Sequence, residues 1–259
     1  MNKNKLKKIL KLIKSQLLKV KSKQKYWITE EDSRYTSLLN QYSKQLSKLW
    51  KKTCDSYTSK IKIKASELDI DPNPEDYEDP QYDSSQYIDQ ALTILAEAFG
   101  AAVIIGFEEI QSRDLTVVIP DNPHKFFDEA QEIKNYSHAA LSYEQTQFDD
   151  IFIEYNKLDD GKKQIRDWFD ANEYRLTDLM LGGILWYGTQ YGFVQAAIET
   201  SQLEETDYYW ITEADNRVCD DCIKIEDGNP YNKANPLPTL PGGGKTLCGS
   251  RCRCIIDIK

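Results

Sequence analysis

Five cysteines crowd the last 41 residues of this 259-residue chain: Cys219, Cys222, Cys248, Cys252 and Cys254. Thiolates are soft metal ligands, and Cys219-Asp-Asp-Cys222 has the two-residue spacing with which a tight turn presents two sulfurs to one ion. A second cluster returns after 25 intervening residues, so two knuckles would supply a tetrahedral site. Three cysteines compete for its last two places. Cys248 with Cys252 makes a wider knuckle and is favoured; Cys252 with Cys254 would set both sulfurs on one side of a strand and stays open. Zinc is the expected ion, since Zn²⁺ accepts four thiolates without a geometric demand of its own, although iron–sulfur clusters also take four cysteines. A closed thiolate shell leaves no position for a catalytic water, so the role expected is structural. Disulfides, or cysteines that are merely buried, are the competing readings; an odd count and a reducing compartment weigh against disulfides.

Other candidate chemistry fails on spacing. Gly242-Gly-Gly-Lys-Thr246 resembles the end of a phosphate loop, but the motif needs a glycine where Thr239 stands, and no strand-to-helix context surrounds it. It reads as a turn that returns the second cysteine cluster to the first. His124 and His138 have no nucleophile beside them, and Cys54 stands alone in a basic helix, so packing or surface roles are expected. The acidic runs Glu75–Asp79 and Asp149–Glu154 lack calcium-loop spacing and read as solvated faces.

The elements that must position the cysteines are mostly helical. Leu6, Ile9, Leu10, Ile13, Leu17 and Val20 recur at steps of three and four among lysines, which predicts a basic amphipathic helix over 3–24. A second helix is expected to start near Thr29 with acidic capping and to run to about Lys64 on the stripe Leu38, Leu39, Tyr42, Leu46, Leu49. Residues 69–84 hold three prolines and seven acids and read as a linker. Beyond lie a long apolar helix over 86–112, broken near Gly100 or Gly106, a short strand at Leu115–Ile119, and helical patterns over 126–160, Ile165–Tyr174 and Leu176–Thr200. Ala91–Phe107 is too short and too weakly flanked for a membrane span and reads as a buried helix. Gly182, Gly183, Gly188 and Gly192 point to close helix packing or kinks. Tyr208–Thr212 is strand-like, and turns fill the chain after Asp215. The echo of Tyr26–Asp32 in Tyr209–Asp215 extends no further and reads as chance.

Charge is split along the chain. Residues 1–64 carry 18 Lys+Arg against 4 Asp+Glu, or +14, which leaves −23 of the net −9 for residues 65–259. Lysines interrupt the apolar residues of the N-terminus, unlike a secretory leader, and the expected compartment is a cytosol. Lys3, Lys5, Lys7, Lys8, Lys11 and Lys14 head a set of 10 lysines in residues 1–25, the expected contact to nucleic acid or to an acidic protein partner.

The segment Trp210–Cys222 (WITEADNRVCDDC), the Asp227-Gly228 turn, Leu240-Pro-Gly and the closing Cys252-Arg-Cys254 together resemble the Mu F-like family of phage head morphogenesis (minor capsid) proteins. That family typically shows a Trp, then D-x-R-V-C-x-x-C, a D-G turn and a closing C-R-C, often preceded by a His; Cys248 stands where that His would. Upstream, Arg175-Leu-Thr177-Asp178 is a degenerate form of the family's Arg-Thr-Glu element, and nothing before about residue 165 is covered. Some members carry an ADP-ribosyltransferase whose Glu-x-Glu this chain lacks. The resemblance implies a low-copy component of a tailed-phage head, associated with the portal and other head proteins during assembly, acting in morphogenesis and in DNA packaging or delivery.

The expected fold class is therefore α+β: a mostly helical body with a small C-terminal β-rich, cysteine-ligated, zinc-knuckle-like module. The divisions are a basic helical arm (1–68), an acidic linker (69–84), a helical body (85–206) and the cysteine-rich module (207–259). The expected function is structural, without enzyme activity, membrane or small-molecule substrate, in the virion head near the portal and in host cytoplasm during assembly. The arm is expected to contact the portal or packaged DNA. The competing reading is a cytosolic nucleic-acid-binding regulator with a zinc-ribbon-like tail, against which the acidic body counts.

Overall fold

The computed structural model describes residues 28–29, 32–67, 85–113, 115–155, 160–200, 207–213 and 217–258. The basic helix expected over 3–24, with Lys3, Lys5, Lys7, Lys8, Lys11 and Lys14, and the acidic linker 69–84 lie outside the described residues. What is described is mostly helical, with a two-stranded sheet and a cysteine cluster near the C-terminus.

Helix α1 (Ser33–Glu67) starts where Asp32 caps it, its carboxylate accepting from the Arg34 backbone N–H at 2.8 Å and from the Arg34 guanidinium. That guanidinium holds the Asp32 carboxyl below its ordinary range. The stripe read from sequence faces inward, with Tyr42, Leu46 and Leu49 buried and Leu38 and Leu39 half-buried; Trp50 and Tyr57, not part of that stripe, are buried as well. Helix α2 (Ser85–Ser112) runs antiparallel to α1 and is unbroken at Gly100 and Gly106, contrary to the expected break. It is long and apolar enough to cross a bilayer by length and composition, yet its apolar residues pack against α1, α3 (Lys125–Glu129), α4 (Gln131–Tyr155) and, most extensively, α6 (Leu181–Glu199).

The α2–α6 contact depends on absent side chains. A Cβ on Gly106 would overlap the Phe193 amide nitrogen and the Thr189 carbonyl, and a Cβ on Gly192 would overlap the Val103 carbonyl. The two backbones thus touch where ordinary helices are held apart by side chains. Helix α6 is apolar on every face and correspondingly buried, from Leu181 and Ile184 through Phe193 to Ala197. It continues α5 (Gly161–Tyr174) through a π-helical turn at Arg175–Met180.

Aromatic residues close the end of the molecule remote from the cysteines. Trp50 Nε1 donates to the Phe169 carbonyl at 2.8 Å, and Trp50, Tyr57, Tyr87, Phe148 and Phe169 meet at centroid distances of 4.9–6.1 Å. Facing the π-helical turn, Glu144 of α4 is buried with its Oε2 unpartnered and Arg175 3.9 Å away. Burial lifts its carboxyl above the ordinary range against the pull of Arg175.

Three expectations need correction. Leu115–Ile119 has no regular secondary structure and joins no sheet: the Gln111 side chain donates to the Val117 carbonyl at 2.8 Å, so a side chain takes the place of a neighbouring strand. Val117 is buried, whereas Val118 is 79% exposed. The pattern over 126–160 is two helices, α3 and α4, parted at Ala130, whose φ −78°, ψ 66° is not helical. The chain after Asp215 is not turns alone. It contains helix α7 (Asp220–Asp227), a 3₁₀ turn (Gly249–Arg251) and a strand, β2 (Ile255–Ile258), that pairs antiparallel with β1 (Tyr208–Ile211), Trp210 opposite Ile256.

Two measurements test this packing. Gly192→Ala should destabilise the protein by about 3 kcal/mol or more, because the clash is with backbone that cannot rotate away, and urea denaturation reads it directly. Glu144, whose folded pKa is raised, contributes stability that is complete below its unfolded value of 4.5 and is lost as pH rises through the folded value. Glu144→Gln should therefore be more stable than wild type at pH 7, with the advantage shrinking as denaturation is repeated toward pH 4.5.

Candidate metal centre

Each cysteine is positioned by an element with its own local cause. Asp220 and Asp221 fill the first turn of α7, where the helix dipole favours negative charge, and Cys219 stands at its N-cap with extended φ −78°, ψ 156°. The expected tight turn is thus a helix N-terminus: Cys219 ends the extended approach and Cys222 lies in the first helical turn. Such a terminus also stabilises thiolates. Cys248 precedes the 3₁₀ turn, Cys252 follows it, and Cys254 leads into β2. The loop that returns them is held by its glycines. Gly242 (φ +88°) sits against the Gly183 carbonyl and Tyr187, and Gly244 (φ +82°) against the Tyr136 ring, conformations that L side chains seldom adopt.

All five terminal cysteines converge, as two triads that share Cys222. Within Cys219–Cys222–Cys248 and within Cys222–Cys252–Cys254 every sulfur lies within 4.8 Å of the others. Cys222 Sγ is 3.5 Å from Cys248 Sγ and 3.7 Å from Cys252 Sγ. A tetrahedral ion with metal–sulfur bonds near 2.3 Å sets its ligands about 3.8 Å apart, whereas a disulfide would bring them to about 2.05 Å. All six cysteines are unbonded, and the sulfur spacing fits a thiolate-bound ion. The sixth, Cys54, is buried in α1 away from the cluster, and burial pushes its thiol up to about 11.

The electrostatics of the cluster favour a cation. Burial would raise Cys219, but hydrogen bonds from the Cys222 backbone and thiol and from Cys248 outweigh it and hold Cys219 below the ordinary thiol range. Cys248 is pushed up to about 12, chiefly by its hydrogen bond with the Cys222 thiol, and Cys254 is raised first by the same residue. Cys252 is lowered by Cys222, yet its bonds with Cys248 and Cys254 and its burial raise it well above the ordinary range. Crowded sulfurs resist ionising together. A bound cation removes that resistance, because it is the nearest charge to every sulfur.

Around the sulfurs, side chains bind backbone. Asn229 accepts from the Trp210 N–H at 2.7 Å and donates to the Trp210 carbonyl at 2.8 Å, acting as a strand neighbour to β1. Tyr231 exchanges both main-chain hydrogen bonds with Tyr208, and its hydroxyl donates to the Ile225 carbonyl at 2.6 Å, tying α7 to the sheet. Glu226 accepts from the Thr212 hydroxyl at 2.7 Å, and Arg253 pairs with Glu213. Two residues of α6 seat the whole assembly: Trp186 Nε1 donates to the Cys254 carbonyl at 2.9 Å and Gln190 Oε1 accepts from the Ile256 N–H at 2.7 Å. Thr239 and Lys245 reach Glu132 of α4 at 2.7 and 3.3 Å. Asn229, Tyr231, Trp186 and Gln190 were not singled out by sequence reasoning. His124 and His138 are exposed on α2- and α4-side surfaces, and neither belongs to the thiol cluster.

The fold and site define a mostly helical protein whose C-terminal segment folds around a cysteine cluster able to hold a metal ion. Comparison with protein-family models, with curated proteins and with solved structures finds no match.

Because Cys222 belongs to both triads, its loss should matter most. Cys222→Ser should lower metal retained after gel filtration by at least tenfold, whereas Cys54→Ser should leave it unchanged, as read by elemental analysis of each purified variant.

Proposed function

We propose that this protein is a structural component of a tailed-phage head, associated with the portal during assembly, whose C-terminal module is closed by a single zinc ion. The observation that carries this reading is the Trp–Cys-pair–turn–Cys-Arg-Cys pattern, which coincides with the framework of one small, closed site. Trp210 is fully buried at the centre of β1, Cys219 and Cys222 open α7, and Cys252 and Cys254 flank Arg253, which is paired to Glu213. Residues that would serve as a family signature are here the residues that build the module.

Zinc is preferred for the ion because the donors are all thiols at tetrahedral spacing, and a redox-inert ion suits a site whose work is to staple a segment too small to bury its own core. Cys222 with Cys252 forms the centre of the shell, and two of Cys219, Cys248 and Cys254 complete it. Backbone N–H groups of Cys222 and Cys248 directed at the Cys219 sulfur support a zinc-knuckle-like reading. The basic N-terminal lysines would supply a salt-sensitive contact to DNA or a protein contact to the portal.

Purified protein should contain about one zinc per chain, with the metal identified by elemental analysis. In infected cells the protein should sediment with intact heads or with portal rings; its abundance free of both would overturn the head assignment while leaving the zinc result standing.

A further inference from the structure

A cleft of about 780 Å³ opens between the start of α1, the π-helical turn and the cysteine loop. Its charge is unlike that of its surroundings. In a stretch of chain, 65–259, that carries −23 overall, Arg217, Arg251 and Arg253 all line this one cleft, against a single lining acid, Asp178. Arg253 pairs with Glu213, and the Arg217 and Arg251 side chains both reach solvent. Between the charges the lining is Leu39, Leu179 and, at the lip, Leu247, 75% exposed, with Cys248 and Cys252 of the sulfur cluster along one wall.

This lining suits an acidic peptide with a few apolar side chains better than a nucleic acid. Guanidinium groups pair with carboxylates in forked geometry, and leucines offer contact area to side chains but no stacking surface to bases. The aromatic residues at the cleft, Tyr35 and Trp186, are buried in its floor, with Tyr35 donating to the Gly182 carbonyl at 3.0 Å.

We infer that this cleft is a docking site for residues 69–84 of a second copy of the chain. That segment, DIDPNPEDYEDPQYDS, carries seven acids and no basic residue, with Ile70, Tyr77 and Tyr82 as apolar side chains. Its three prolines favour an extended backbone, which exposes alternate faces to a groove. The same segment of the same chain cannot fill the cleft. Leu39 lies about 42 Å from Glu67 along α1 at 1.5 Å per residue, and α2 begins beside Ser56, about 25 Å away. The 17 residues between α1 and α2 span at most about 60 Å fully extended, too little to reach the cleft, lie in it and return. The basic arm 1–27 has the wrong sign of charge. Supplied in trans, the acidic segment gives a head-to-tail contact, in which one chain's segment meets the next chain's cleft.

The test is a fluorescein-labelled peptide of residues 69–84 titrated with the purified full chain and read by anisotropy. Binding is expected that weakens with salt, falls at least tenfold in Arg251→Glu and strengthens severalfold in Asp178→Lys, which turns the cleft's one acid into a base. Sedimentation of wild type should show concentration-dependent association that Arg251→Glu abolishes. Should Arg251→Glu disturb the neighbouring cysteines, its metal content will show it, and Asp178→Lys on the helical side then decides. The inference is overturned if affinity is the same in wild type and Asp178→Lys, if a peptide with its seven acids changed to Asn or Gln binds equally well, or if oligothymidylate binds more tightly and is itself lost in Arg251→Glu.

Discussion

Everything that positions the cysteine cluster depends on two helix backbones being allowed to touch. Gly106 and Gly192 remove the side chains that would otherwise set α2 and α6 at ordinary distance, and the resulting contact fixes the rotation of α6 about its own axis. With that rotation fixed, Tyr35 reaches the Gly182 carbonyl on one flank while Trp186 and Gln190 reach the C-terminal segment on another. At the far end, Arg113 lies over the Phe193 ring and pairs with Asp257 of β2 at 2.7 Å, so α2 also grips the sheet directly. Glycine is costly in a helix interior, by roughly 1 kcal/mol relative to alanine, and burial on both helices offsets it here.

The C-terminal segment has little hydrophobic core of its own. Two four-residue strands and an eight-residue helix cannot enclose one, and the buried residues it contributes, among them Trp210, Ile211, Ile255 and Ile256, are continuous with the core of the helical body. Its shape is set by other means: side chains that stand in for strands, as Asn229 does for β1, and sulfurs drawn from two separate stretches into two triads that share Cys222. Removing the Asn229 side chain would leave the Trp210 N–H and carbonyl without these partners, and removing Cys222 would break both triads.

How much of this was legible beforehand follows the kind of interaction involved. Helices buried along one stripe, such as α1, are visible from spacing, and a helix buried on every face, such as α6, from its unrelieved apolar run and small residues. The cysteines were legible because their chemistry is in their side chains and their spacing is local. Leu115–Ile119 misled because β-branched residues say a segment is extended, not that another strand lies alongside; Gln111 took that place. The helix at α7 was hidden by its cysteines, which suggested a turn although Asp220 and Asp221 are good residues for a helix start. Trp186 and Gln190 could not have been found, since a core tryptophan reads the same whether or not its N–H meets a carbonyl. Nor could the division of the five sulfurs, because Cys222 reaches toward both triads and distance in sequence is silent about that.

Trp186 and Gln190 hold main-chain atoms, a carbonyl at Cys254 and an amide at Ile256, and those atoms are the same whatever side chain occupies the position. The seat they form therefore imposes little on the sequence of the segment that sits in it. Over evolutionary time the strand can exchange nearly all its outward residues and keep its place, so long as the sulfurs and the two helix glycines persist.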